Sequence, residues 1–76
     1  MLMASRSPAD VQPRAQAALR NSSISELRGL CVEQRNGALV ISGAVSSFYH
    51  KQLAQEVVWA LCRDIEVELV NLIRVH

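Results

Sequence analysis

Arg35-Asn36-Gly37-Ala38-Leu39-Val40-Ile41-Ser42-Gly43-Ala44-Val45 is the stretch whose reading decides the fold. Asn36-Gly37 is a strong short hairpin signal, because both central positions of a type I′ turn need positive φ, which Asn and Gly tolerate best. A two-residue turn sets Arg35 opposite Ala38, Gln34 opposite Leu39, Glu33 opposite Val40, Val32 opposite Ile41 and Cys31 opposite Ser42. Opposed residues point to the same side, so this register sorts the hairpin into two faces. Leu30, Val32, Leu39, Ile41 and Val45 form the inner face. Cys31, Glu33, Arg35, Val40 and Ser42 form the outer one. Gly43 falls on the inner side, where a glycine marks a bulge or the close approach of other backbone; the covering helix is the expected visitor.

Outward from the hairpin, Ser46-Ser47 caps a helix over roughly residues 47–62, since a serine hydroxyl satisfies free N–H groups of the first turn. Its apolar stripe is His50, Leu53, Ala54, Val57, Val58 and Leu61, with a period of about 3.6 residues. Trp59 lies about 200° from Val57 at ~100° per residue, so it turns away from that stripe together with Phe48, Gln55 and Cys62. Arg63-Asp64 ends the helix. Residues 65–75 then read as one long strand, with Ile65, Val67, Leu69, Ile73 and Val75 on one face and Glu66, Glu68, Val70, Leu72 and Arg74 on the other. Before the hairpin, Asp10 is the expected cap of a helix beginning near Val11, with Pro13 in its first turn. Val11, Ala15, Ala18 and Leu19 are its buried side, and Arg14, Gln16 and Arg20 its wet one. Ser23-Ile24-Ser25-Glu26 has the form of a capping box for a further short turn of helix through Leu27, and Ile24 and Leu27 plug that end of the core.

The predicted fold is α+β, in the order αββαβ. A strand–helix–strand crossover sets the last strand parallel to the second, which becomes the centre of a three-stranded mixed sheet. Both helices cover the one face rich enough to bury them. The domain is expected over residues 10–76, after a mobile segment of residues 1–9. At 76 residues the chain has room for one domain, which buries only about 60% of the surface its unfolded form exposes.

The residues that set this pattern carry a family likeness. Asn36-Gly37, then Leu39-x-Ile41-Ser42-Gly43-x-Val45, Lys51 and Ala54 in the helix, and the closing Val70-Asn71-x-Ile73-x-Val75 resemble a BON domain over about residues 10–75. BON domains usually carry a Gly-Val pair ahead of the last strand, where this chain has Arg63-Asp64-Ile65. The resemblance implies an αββαβ fold, occurrence mainly in bacterial envelope and stress proteins, and attachment to phospholipid or the holding of partner domains. It carries no catalytic residue.

Composition narrows the function further. A formal charge of +1, with no run of Lys or Arg, gives no electrostatic footprint for nucleic acid. Cys31 and Cys62 make neither a disulfide framework nor a zinc site, and His50 and His76 share no metal-like spacing with them; no cofactor is expected. The N-terminus shows no signal peptide, and no apolar run approaches the ~20 residues of a membrane helix. The chain as it stands is expected in the cytoplasm, or at the envelope where it forms part of a longer protein. His50 and Lys51 adjoin with no acid or nucleophile converging on them, and Glu66 and Glu68 share a strand face with no third group, so no enzyme is expected. An apolar centre of Cys31, Val40, Val70 and Leu72 within a charged rim suits a contact surface, and Phe48 with Trp59 offers a second. The expected function is a non-enzymatic binding module acting through the open sheet face or the Trp59 face, on a protein partner or a second copy. Peripheral phospholipid attachment is the alternative. Asn36, Gly37, Ser42 and Gly43 serve as its folding motif.

Overall fold

The computed structural model describes residues 7–76. The order is α1 (Pro8–Arg20), α2 (Ser25–Arg28), β1 (Cys31–Arg35), β2 (Ala38–Ser42), β3 (Ala44–Val45), α3 (Phe48–Leu61), β4 (Glu68–Asn71) and β5 (Arg74–Val75). The fold is α+β as expected. β2 is central, antiparallel to β1 and parallel to β4. The hairpin register is the expected one at all five pairs, from Cys31 opposite Ser42 to Arg35 opposite Ala38. Asn36 and Gly37 take φ of 50° and 81°, which is the backbone that a type I′ turn requires.

The helices lie over the inner face. Val11, Ala15 and Leu19 of α1 and Ala54 and Val58 of α3 are buried with Val32, Leu39, Ile41 and Val45. Leu27 closes the same cluster, with Ile24 packed at its side. Ser47 caps α3 as expected, its hydroxyl oxygen accepting from the His50 N–H at 3.3 Å.

The start of the chain differs from expectation. Of the segment expected to be mobile, residues 1–6 lie outside the described residues, whereas Ser7 caps α1 and Pro8 and Ala9 form its first turn. The expected cap, Asp10, instead accepts hydrogen bonds from the Ser7 N–H and hydroxyl, both at 3.2 Å. Pro8 suits the first helical position, where its missing N–H has no partner to lose. Pro13 therefore sits in the second turn, on the exposed side. The capping box at Ser23 does not form either. Ile24 precedes α2, its N–H bonded to the Ser22 hydroxyl at 3.0 Å, and the Glu26 carboxylate turns to Ser46.

Gln16 is not on the wet face. Its Oε1 accepts from the Val32 N–H at 2.9 Å and its Nε2 donates to the Leu30 carbonyl at 2.9 Å. One turn earlier, Gln12 Nε2 donates to the Val32 carbonyl at 2.5 Å. Two amides at i and i+4 thus mimic a neighbouring strand along the outer edge of β1. This covers backbone groups that an edge strand otherwise presents to other chains. Gln16→Ala is expected to lower stability by about 1–2 kcal/mol, two hydrogen bonds being lost at a half-buried site. It should also raise aggregation under heating; thermal unfolding followed by light scattering checks both.

The last strand, expected over residues 65–75, begins only at Glu68 and breaks in two. β4 ends at Asn71, and β5 pairs with β3 in a separate parallel ladder, Ala44 with Arg74 and Val45 with Val75. Gly43, between β2 and β3, has φ of 130°, and the paired chain breaks opposite it. The close neighbour of Gly43 is Leu30, not a helix: a Cβ added there would lie 2.7 Å from Leu30 Cδ2. Val75, expected inside, is exposed at the end of this short ladder.

Cys62 also departs from expectation. The α-helix stops at Leu61, and Cys62 caps it with its N–H on the Trp59 carbonyl. It no longer follows the helical rotation that would carry it outward with Trp59, and its thiol is buried among the core residues. Burial raises its pKa. Cys31 is exposed, and both thiols are free.

Candidate interaction surface

The open face of the sheet carries the side chains that the register predicts, but not as flat apolar ground. Val40 is 7% exposed, because its neighbours Glu33 and Val70 flank it on both strands. It is a covered residue of the central strand, which corrects the expectation that it offers a contact. Val70 is half-buried, and Ser42, opposite Cys31, is half-buried too. Glu33 and Arg35 pair at 2.6 Å along β1. Leu72, just past β4, stands out at 55% exposure.

The other expected surface is on α3. Phe48 is 72% exposed and Trp59 49%. Eleven positions apart at about 100° each, they return to the same side of the helix, ~16 Å apart along its axis. Tyr49, which sequence reasoning passed over, is 67% exposed. Lys51 Nζ sits 5.7 Å from the centroid of the Phe48 ring, and the Tyr49 and His50 rings meet edge to face at 5.4 Å. Beside Trp59, α3 and the approach to β4 enclose an open groove of about 380 Å³. Gln55, Glu56 and Trp59 line one wall and Val67, Glu68 and Leu69 the other.

Asn71 fixes how α3 sits on β4. Its Nδ2 donates to the Lys51 carbonyl at 3.2 Å and to Gln55 Oε1 at 3.1 Å, while its Oδ1 accepts from the Ile73 N–H at 3.0 Å. The alternating pattern places Asn71 in the strand; nothing in the spacing shows this bracket.

A second polar group gathers where α2 meets the start of α3. The Ser46 N–H donates to Glu26 Oε1 at 2.6 Å, and the Ser46 hydroxyl bonds the other carboxylate oxygen. His50 Nδ1 lies 2.9 Å from Ser47 Oγ and 3.8 Å from Glu26 Oε2. The fold thus brings an acid and a hydroxyl to His50, neither of which the spacing announces. Both address the same ring nitrogen, and Ser47 Oγ already holds a backbone N–H. A serine–histidine–acid relay needs one partner on each nitrogen; this arrangement is a helix clasp.

The Glu26 carboxyl is held below its ordinary 4.5, first by the Ser46 hydroxyl, then by the Ser46 N–H, against the opposing effect of burial; His50 and His76 act in the same downward direction. A carboxyl with a lowered folded pKa stabilises fully above its unfolded value, and loses that contribution as pH falls through the folded one. The urea midpoint of the wild type should therefore begin to fall below pH 4.5. In Glu26→Gln the fall over the same range should be shallower; equal slopes would contradict this role.

Among the described residues, no group of three or more His, Cys, Asp or Glu side chains is placed to hold a metal ion. No described helix is long and apolar enough to cross a membrane. Comparison with models of protein families, with curated proteins and with solved structures gave no match to this chain. The class that can be stated is that of the fold: an α+β domain whose mixed sheet is centred on β2 and covered by helices on its inner face.

Proposed function

We propose that this domain is a non-enzymatic interaction module, and that it meets a protein partner through the Trp59 side of α3. One observation carries the reading. The chain has a single Phe, a single Tyr and a single Trp, and all three are exposed while the buried core contains no aromatic. Aromatic side chains bury the most apolar area per residue and are enriched at interfaces, so a small domain that builds its core without them is using them elsewhere. Leu72 extends an exposed apolar position to the far side of β4, within reach of a partner that wraps the sheet edge.

The test is a photoreactive amino acid placed at position 59, and separately at the exposed control Arg14, in cells of the source organism. Discrete covalent adducts at 59 and none at 14 are expected. Absence of adducts at 59 would overturn the proposal.

A second reading, attachment to a phospholipid surface, is favoured by Phe48 and Tyr49 standing exposed beside Lys51. Aromatic rings with an adjoining cation suit the headgroup boundary, and the likeness to BON domains points the same way. Flotation with anionic vesicles, comparing the wild type with Phe48→Ser/Tyr49→Ser, separates it from the first reading; the net charge of +1 limits the electrostatic share of such binding.

A further inference from the structure

The two edges of the sheet are treated differently. The outer edge of β1 is sealed along Leu30 to Val32 by the amides of Gln12 and Gln16. Among the described residues β4, the opposite edge, pairs with β2 alone. The Leu72 N–H points inward to the Ile41 carbonyl. Backbone groups alternate in direction along a parallel strand, so those of Leu69 and Asn71 point outward. No described side chain bonds them as Gln16 bonds Val32. The groove beside Trp59 opens along this same edge, with Val67 and Leu69 on its strand wall.

From this juxtaposition we infer that β4 takes up an extended basic–apolar peptide segment of a partner protein as an added strand. An unpaired edge offers main-chain hydrogen bonds, and a groove beside it selects alternate side chains. Side chains of the incoming strand that share the face of Leu69 enter the groove against Trp59. Along the groove the incoming strand meets Glu68 and Glu56, which both line it, with the exposed Glu66 just ahead of β4. Three carboxylates with no cation in β4 select Lys or Arg on the segment that docks. A second copy offers only its own Glu-Leu-Val-Asn strand there, so charge complementarity favours a different chain.

The inference rests on the interaction reading and deepens it. The test uses the whole chain and a blocked peptide of alternating Lys and Val, with the emission of Trp59, the only tryptophan, as the readout. A saturable blue shift is expected, weakening as salt is raised. Two further peptides are N-methylated on alternate residues, at the valines or at the lysines. One of the two should bind about tenfold more weakly and the other unchanged, because only one set of N–H groups can face β4. The valines are the sensitive set if the segment docks antiparallel, the lysines if parallel. Glu66→Lys/Glu68→Lys should prefer a Glu–Val peptide over the Lys–Val one. Equal binding of all methylated forms, no binding of the Lys–Val peptide, or a β4-mediated dimer that excludes it would overturn the inference. If that happens while adducts at position 59 persist, the strand-addition mode alone fails; if both are lost, the interaction reading fails with it.

Discussion

Gly43→Val is expected to destabilise the domain by about 3 kcal/mol or more, the sum of backbone strain and steric conflict. At φ of 130° an L-residue is in a region that essentially only glycine populates. The Cβ would also lie 2.7 Å from Leu30 Cδ2, and Leu30 is a buried core residue with little room to yield. A domain of this size has roughly 4–11 kcal/mol in total at ~0.05–0.15 kcal/mol per residue, so much of its margin would go. Gly43→Ala should cost less but remain well below wild type in urea midpoint. Chirality separates the backbone effect from any general intolerance at the site. A chain synthesised with D-alanine at position 43 has φ of 130° in its own favoured region and turns its methyl away from Leu30. It should fold with stability near that of the glycine form. If the L- and D-alanine chains unfold at the same midpoint, strain at Gly43 is not what holds the break between β2 and β3.

The second large effect is expected at Asn71. Asn71→Ala removes three hydrogen bonds and leaves the N–H of buried Ile73 without its partner. An unmet buried donor costs about 1–3 kcal/mol, and the site is half-buried, so a loss of about 2–3 kcal/mol is expected from the same principle. Asn71→Asp keeps an acceptor for Ile73 but sets an oxygen against the Lys51 carbonyl, and should recover only part of the loss. Gln55→Ala removes one of the three bonds and should cost under about 1 kcal/mol. Amide exchange distinguishes local from global damage. In Asn71→Ala the Ile73 amide should lose protection before the amides of β1 and β2; uniform loss would mean that the bracket is not local to the β4–β5 junction. These two positions flank the same place in the fold, where paired strands break together and α3 is set on β4. That placement holds Trp59 over its groove.

The expectations that survived are those carried by local chemistry. Asn36-Gly37 dictates its own turn, and with it the pairing of five residues on each strand. The alternation through Leu39 and Ile41, and the 3.6-residue stripe through Ala54 and Val58, report which side is buried because the period belongs to the element itself. Several of the expectations that failed concern side chains whose partners lie far along the chain. Glu26 bonds a residue 20 positions away rather than the helix start beside it. Gln16, expected on the wet face, reaches Val32, 16 positions distant; the bond from Asn71 to Gln55, equally distant, had no expectation against it. Val40 and Cys62 were placed by geometry that was right for a strand or helix in isolation. Neighbouring strands covered the first, and the end of α3 turned the second inward.

The proposed contact surface was legible only in part. Phe48, Trp59 and Leu72 read correctly as exposed, since each falls off the apolar stripe of its own element. The groove beside Trp59 and the unequal edges of the sheet could not be read, because both arise between elements. The sequence by itself determined the order of elements, the hairpin register and the inner faces, all of which follow from turn chemistry and periodicity over a few residues. Only the tertiary structure decided that the glutamines of α1 close one edge while the other stays open beside an exposed tryptophan. A polar side chain has many partners within chemical reach, and the folded chain alone decides which of them come near.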